Sequence, residues 1–221
     1  MKLLCSALLK FVFGLVLVAS LLFVPASTLA YPNGWLFLGL LFVPMLVVGI
    51  ILWIKAPALL QKRLDAKEED PTQKRVVAIM GLLFVGGFVV AGLDHRYGWS
   101  TVPTWAVTVA AVVLTVSYGL YAEVMRENAY LSRTVAIQEQ QRVVDTGLYG
   151  IVRHPMYAVT VWLFLAIPLV LGSLWACLFF LPYIPLIMLR IRHEETLLET
   201  ELEGYDLYKQ RVKYRLVPFI W

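Results

Sequence analysis

The stretch AVTVWLFLAIPLVLGSLWACLFFLPYIPLIML, residues 158–189, contains no charged residue, and its reading decides the fold. It has 32 residues, too many for one membrane span and few for two, because a span takes roughly 20 apolar residues. Pro168 and Gly172-Ser173 interrupt it near the middle, and Pro182 and Pro185 interrupt it again. Proline removes a helical hydrogen bond, and a Gly-Ser pair marks a turn. The pattern predicts a helical hairpin of two short, kinked arms. At about 1.5 Å rise per residue, arms of about 14–16 residues reach roughly 21–24 Å, less than the roughly 30 Å of a hydrocarbon core. The polar segments flanking the hairpin are therefore expected to dip into one membrane face, and Tyr157 and Arg190 become neighbours.

The rest of the chain has the same character. Of its 221 residues, 60% are hydrophobic and 15% charged, against about 45–50% and about 25% in soluble domains. Four further runs are long enough to span: about 8–24, 35–54, 76–93 and 104–124. The first also has the look of a cleavable signal peptide, with Lys2, an apolar core Phe11–Val24 and the small residues STLA. With six spans and the N-terminus inside, 18 of the 19 Lys and Arg fall on one side, Arg96 being the exception. That is the bias expected of cytosolic segments.

The fold class is therefore all-α: one polytopic membrane domain, 1–221, with about six transmembrane helices and a cytosolic helical tail. The halves are 1–124, with four spans, and 125–221, with the hairpin and tail. Residues 55–75 read as an interfacial helix and linker. The outer loops, 25–34 and 94–103, are short, so any chemistry belongs on the cytosolic side. Cys5 and Cys177 lie in apolar runs and suggest neither a disulfide framework nor a metal site. No metal and no nucleic-acid partner is expected.

Two polar clusters flank the hairpin. One is GLYGIVRHPMY, 147–157; the other opens with Arg190, Glu194 and Glu195. Each residue has an ordinary reading. Arg153 and Arg190 suit topology, His154 suits a solvated loop, Pro155 suits a helix start, and the two acids suit a solvated helix face. Their juxtaposition suggests more, because charge near membrane depth costs on the order of 2.5–3.5 kcal/mol at the centre. Arg190 and Glu194, four apart, share a helix face.

Together, Arg153-His154-Pro155-Met156-Tyr157, the hairpin, Glu194-Glu195 and the tyrosine-rich tail resemble the isoprenylcysteine carboxyl methyltransferase family. They are more distantly similar to phospholipid methyltransferases. The resemblance covers roughly 120–221. It implies a site for S-adenosyl-L-methionine (SAM) without a Rossmann sheet, lined by Val143, Val144 and Tyr149. His154, Pro155, Met156 and Tyr157 would wrap the cofactor, with Arg153 and His154 reaching its carboxylate, and Glu194 would close the pocket. Arg190 falls where the family contacts substrate. Val159 and the Gln140-Gln141-Arg142 stretch depart from the patterns of phospholipid- and protein-modifying members respectively.

The expected function is SAM-dependent methylation of a carboxylate on a lipid-tailed substrate by a multi-pass membrane enzyme. Both termini and the active site would be cytosolic. The alternative is an ethanolamine-phospholipid N-methyltransferase, with Glu195 or His154 as base. A nicotinamide-dependent membrane reductase is a further alternative.

Overall fold

A computed structural model of the protein describes residues 2–64, 70–131 and 140–221. Among them every regular element is helical. The elements are α1 (Lys2–Ala26), α2 (Pro32–Lys55), α3 (Pro57–Leu64), α4 (Pro71–Tyr97) and α5 (Thr104–Glu127). A 3₁₀ turn (Gly147–Gly150) follows, then α6 (Pro155–Val170), α7 (Leu174–Phe180), α8 (Tyr183–Glu201) and α9 (Tyr205–Arg211). Five stretches are long and apolar enough to cross a membrane, namely α1, α2, α4, α5 and the combined run Leu174–Glu201. α6 is apolar but shorter, at 16 residues. The surface of the bundle suits hydrocarbon: Leu9, Val24 and Leu82 are each more than 70% exposed, and large apolar surfaces of this kind are not left facing water.

In hydrocarbon, helices gain nothing from hiding apolar side chains, so close van der Waals packing at small residues holds them together. α4 shows this on two faces. A Cβ at Gly87 would meet the Phe180 ring of α7 at 2.5 Å, and one at Gly92 would strike the Leu22 carbonyl of α1. The buried core between α1, α2, α4, α5, α6 and α7 contains Leu22, Phe37, Ala91, Leu114, Ile167 and Phe180. α1 is thus a packed member of the bundle.

The hairpin is asymmetric: its first arm, α6, has the expected short length of 16 residues, and its second is longer than expected. Pro168 lies inside the last turn of α6 without breaking it. The chain reverses at Gly172, which adopts φ 77°. Of the carbonyls there, that of Pro168 accepts from the Ser173 N–H at 2.9 Å. The return arm, α7 plus α8, runs 28 residues from Leu174 to Glu201 and interrupts only around Leu181-Pro182. It is long enough to cross a bilayer unaided, with Arg190, Glu194 and Glu195 in its polar second half. Pro185 sits in the first turn of α8, where its missing N–H removes no intrahelical bond.

At one end of the bundle, Asp94 of α4 is buried and ties three segments together. Its Oδ1 accepts from the Ser100 N–H at 2.7 Å. Its Oδ2 accepts from the Ser100 and Ser173 hydroxyls at 2.6 and 2.5 Å. The hairpin turn, the 98–103 loop and α4 are therefore joined there. The opposite end, hereafter the basic end, carries α3, the polar part of α8, α9 and the tail 212–221. α3 supplies the helix expected within 55–75, whereas 65–69 lie outside the described residues, as do Lys67 and Arg133 among the cations expected on the inner face.

Candidate active site

The cleft at the basic end begins with a turn that demands glycine. Gly147 has φ 51°, in the left-handed region that side chains disfavour, and a Cβ there would fall on the Glu127 carboxylate. Glu127 Oε2 accepts from the Leu148 N–H at 2.9 Å, which anchors the 3₁₀ turn to the end of α5. The turn delivers Tyr149, Arg153 and His154, and Pro155 then starts α6 at its first position. The tail crosses this start by two backbone bonds, Arg153 N–H to the Tyr214 carbonyl and His154 N–H to the Arg215 carbonyl, both 2.9 Å.

Side chains lock this crossing. Glu195 is 2% exposed. Its Oε1 accepts from Arg153 Nε at 2.7 Å and lies 3.2 Å from His154 Nε2. Its Oε2 accepts from Arg215 Nε at 2.7 Å. Arg153 also donates through one terminal nitrogen to the Val212 and Lys213 carbonyls, each at 2.8 Å. A buried carboxylate so surrounded has its lone pairs committed. It joins α8, the 140–154 segment and the tail, and it is unsuited to act as a base. The expected role of Glu195 is corrected accordingly. Arg153 Nε and His154 Nε2 face Glu195, while both residues also line the cleft.

The neighbouring acid faces the other way. Glu194 Oε2 accepts from the Tyr157 hydroxyl at 2.6 Å, and that hydroxyl accepts from Arg190 Nε at 3.0 Å. The hairpin has brought Tyr157 and Arg190 into direct contact. Arg190 is buried and one helical turn before Glu194. A line thus runs from a buried guanidinium through a phenol to a carboxylate on the cleft wall.

The cleft lies between the end of α5, the 140–154 segment, α8 and α9. Its empty space is about 880 Å³ with the open mouth included. Val143, Val144, Tyr149, Arg153, His154, Met156, Tyr157 and Glu194 line it. Pro155 does not; it is buried at the start of α6. Arg190 and Glu195 are also off the wall.

The wall includes Arg142 and residues that sequence reasoning passed over: Asn128, Leu198, Leu202, Tyr205 and Tyr208. Asn128 donates to the Tyr149 hydroxyl at 2.9 Å, and Tyr208 donates to the Tyr149 carbonyl at 2.7 Å. Burial pushes the Tyr149 phenol up to about 12 and also raises those of Tyr205 and Tyr208, so all three remain protonated at neutral pH. Tyr205 and Tyr208, three apart on α9, share a face, and that spacing was the available signal. Among the described residues no group of three His, Cys, Asp or Glu is placed to hold a metal.

Fold and cleft together define a polytopic α-helical membrane protein with an open, carboxylate-bearing cleft at one end. Residues 106–200 match the model of the isoprenylcysteine carboxyl methyltransferase (ICMT) family. The match runs from α5 through the acids of α8 and leaves out α9 and the tail. The resemblance carried by Arg153–Tyr157 and Glu194-Glu195 therefore stands, and the family is one of methyltransferases. The fold is similar to a solved structure described as the eukaryotic intramembrane Ras methyltransferase ICMT (isoprenylcysteine carboxyl methyltransferase). That similarity has a TM-score of 0.57 at 20% identity and covers 94% of this chain and 74% of the other. At that identity the likeness is one of fold. No curated protein matches the sequence.

Proposed function

We propose that the protein is a membrane-embedded methyltransferase that transfers the methyl group of SAM to a carboxylate on a lipid-tailed substrate. The observation that carries this reading is the Arg190–Tyr157–Glu194 line, which connects a buried cation to an acid on the cleft wall. The wall chemistry fits SAM, a cation with a polar ribose. The Glu194 carboxylate can accept ribose hydroxyls or balance positive charge. The rings of Tyr149 and Tyr157 offer faces to adenine or to the cation. Arg142, also on the wall, offers a guanidinium to an amino-acid carboxylate.

When bound, SAM supplies a methyl group on a positively charged sulfur. The acceptor carboxylate is already ionised at neutral pH, so the chain needs no base, and the enclosure of Glu195 is no obstacle. Arg190 holds the acceptor through the paired donors of its guanidinium. Tyr157 links it to the cleft wall, so the two binding regions keep a fixed separation. The Glu195 clamp keeps Arg153 and His154 rigid on that wall. Positioning of this kind removes a large part of a bimolecular barrier. An amine acceptor would have to lose a proton first, and of the two expected bases Glu195 is enclosed by three donors and His154 turns its Nε2 toward Glu195.

The basic-residue bias supports a cytosolic position for the cleft, and the lipid tail of the acceptor would remain in the membrane. Two measurements test the reading. Purified protein should bind radiolabelled SAM, and its absence from the bound fraction refutes the proposal. Turnover of a prenyl thioether carboxylate should be flat from about pH 6 to 8, far above the carboxyl pKa of about 3.5. A tenfold rise per pH unit there points instead to an amine.

A further inference from the structure

A second hollow lies away from the cleft, between α1, α2 and α3. Its empty space is about 1090 Å³, open side included. Leu8, Phe11, Phe42, Met45 and Trp53 are among its walls, and its apolar lining is interrupted by one cation, Lys10. Glycine accounts for the space. A Cβ on Gly49 would meet nothing within 4 Å, and one on Gly14 would touch only the Phe42 ring, at 3.8 Å. The hollow opens sideways: Leu8, Met45, Ile50 and Trp53 are between 37% and 47% exposed. From Lys10 to Val18 it follows α1 for about 12 Å. Trp53 sits near its mouth, and tryptophan favours the membrane–water boundary.

Lys10 Nζ donates to the Leu64 carbonyl, the last residue of α3, at 2.6 Å. An ammonium has three donors, so this bond leaves capacity for an anion. We propose that the hollow seats one acyl chain of an anionic membrane phospholipid, with Lys10 on the phosphate. The chain itself provides little selectivity, because leaving lipid neighbours for apolar side chains gains nothing in hydrocarbon. Selectivity comes from the headgroup, at about fivefold for one Lys near an anionic surface, the equivalent of about 1 kcal/mol. α3 is the shared wall. Leu60 and Leu64 face the hollow, whereas Leu59 packs in a cluster with Val124, Met125 and Tyr149. A seated lipid thus buttresses the helix that backs the cleft.

The inference does not depend on methyl transfer. The test uses full-length protein in nanodiscs of equal phosphatidylcholine and phosphatidylglycerol, released and weighed by native mass spectrometry. One retained phosphatidylglycerol per chain is expected, favoured about fivefold. Lys10→Gln should bring the ratio close to one, and Gly49→Leu, which fills the space, should remove the retained lipid. Equal retention of the two lipids by the unaltered protein overturns the proposal, as does unchanged retention by a folded Gly49→Leu. If that variant loses helical circular dichroism, the Lys10→Gln ratio decides alone. Displacement of the phospholipid by a prenyl thioether carboxylate would assign the hollow to the methyl acceptor and also overturn the proposal.

Discussion

Replacing Glu195 by Gln removes the anion between two guanidiniums and changes almost nothing in volume. In the native protein that carboxylate is 2% exposed and receives Arg153 and Arg215, each at 2.7 Å. Deleting one partner of a buried ion pair typically costs about 3–5 kcal/mol, because the other charge is left uncompensated. The lower end applies here. Arg153 retains the Val212 and Lys213 carbonyls, and the Arg215 side chain is 28% exposed and lies 5.1 Å from the centre of the Trp221 ring. About 3 kcal/mol, at about 1.36 kcal/mol per decade, is roughly 150-fold in local opening. The amides of Arg153 and His154, which bond the tail, report that opening directly. Their hydrogen exchange should accelerate roughly 150-fold in Glu195→Gln, while the Val124 amide inside α5 keeps its rate. Acceleration below about threefold, or about 0.65 kcal/mol, would show that backbone bonds and packing hold the tail without the carboxylate. Glu195→Asp, which keeps the charge on a shorter stem, should recover part of the protection.

Arg190→Lys should lower turnover of a carboxylate acceptor roughly 10²-fold or more, since an ammonium cannot reproduce two parallel donors, while SAM affinity stays within about threefold. Full activity in that variant would return Arg190 to a topological role. Glu194→Ala should weaken SAM binding about ten- to 150-fold, the loss of a charge-assisted hydrogen bond of about 1.5–3 kcal/mol, measured by equilibrium binding to folded protein; unchanged affinity would remove Glu194 from the cofactor site. Single cysteines at Asp206 and Ser100, in a background lacking Cys5 and Cys177, should be blocked by a membrane-impermeant reagent from opposite sides, and labelling from one side would contradict the arrangement of spans.

The spans were legible because about 20 apolar residues in a row allow few alternatives, and the hairpin was legible because its prolines and glycines fall inside one uncharged run. The contact between Tyr157 and Arg190 followed from that hairpin. The location of the break did not. Pro168 looks like a helix end, yet in the last turn its carbonyl finds the Ser173 N–H, and membrane helices tolerate proline where neighbours re-satisfy the backbone. The division of labour between Glu194 and Glu195 was also hidden. Adjacent helical residues point about 100° apart, so one had to face the cleft and the other the interior. Only the tail, which supplies Arg215 and the carbonyls of Val212 to Arg215, decides which is which. The wall contributed by Tyr205 and Tyr208 depended on how α9 folds back after Gly204, a tertiary fact that a local pattern does not contain.

The Asp94 junction bears on how a molecule enters. With the hairpin turn, the 98–103 loop and α4 riveted together at that end, and with the Phe84 and Phe88 rings of α4 packed against Phe180 at 5.4 and 5.8 Å between ring centres, α4 and the return arm cannot easily part there. At the basic end a half-exposed His193 lies 3.5 Å from Asp70, a far weaker latch. Any parting of α4 from the return arm that kept this junction closed would open like tongs about a fulcrum, widest at the tips, beside Arg190. A long-tailed guest could then slip in edgewise from the bilayer while the rest of the bundle stays shut.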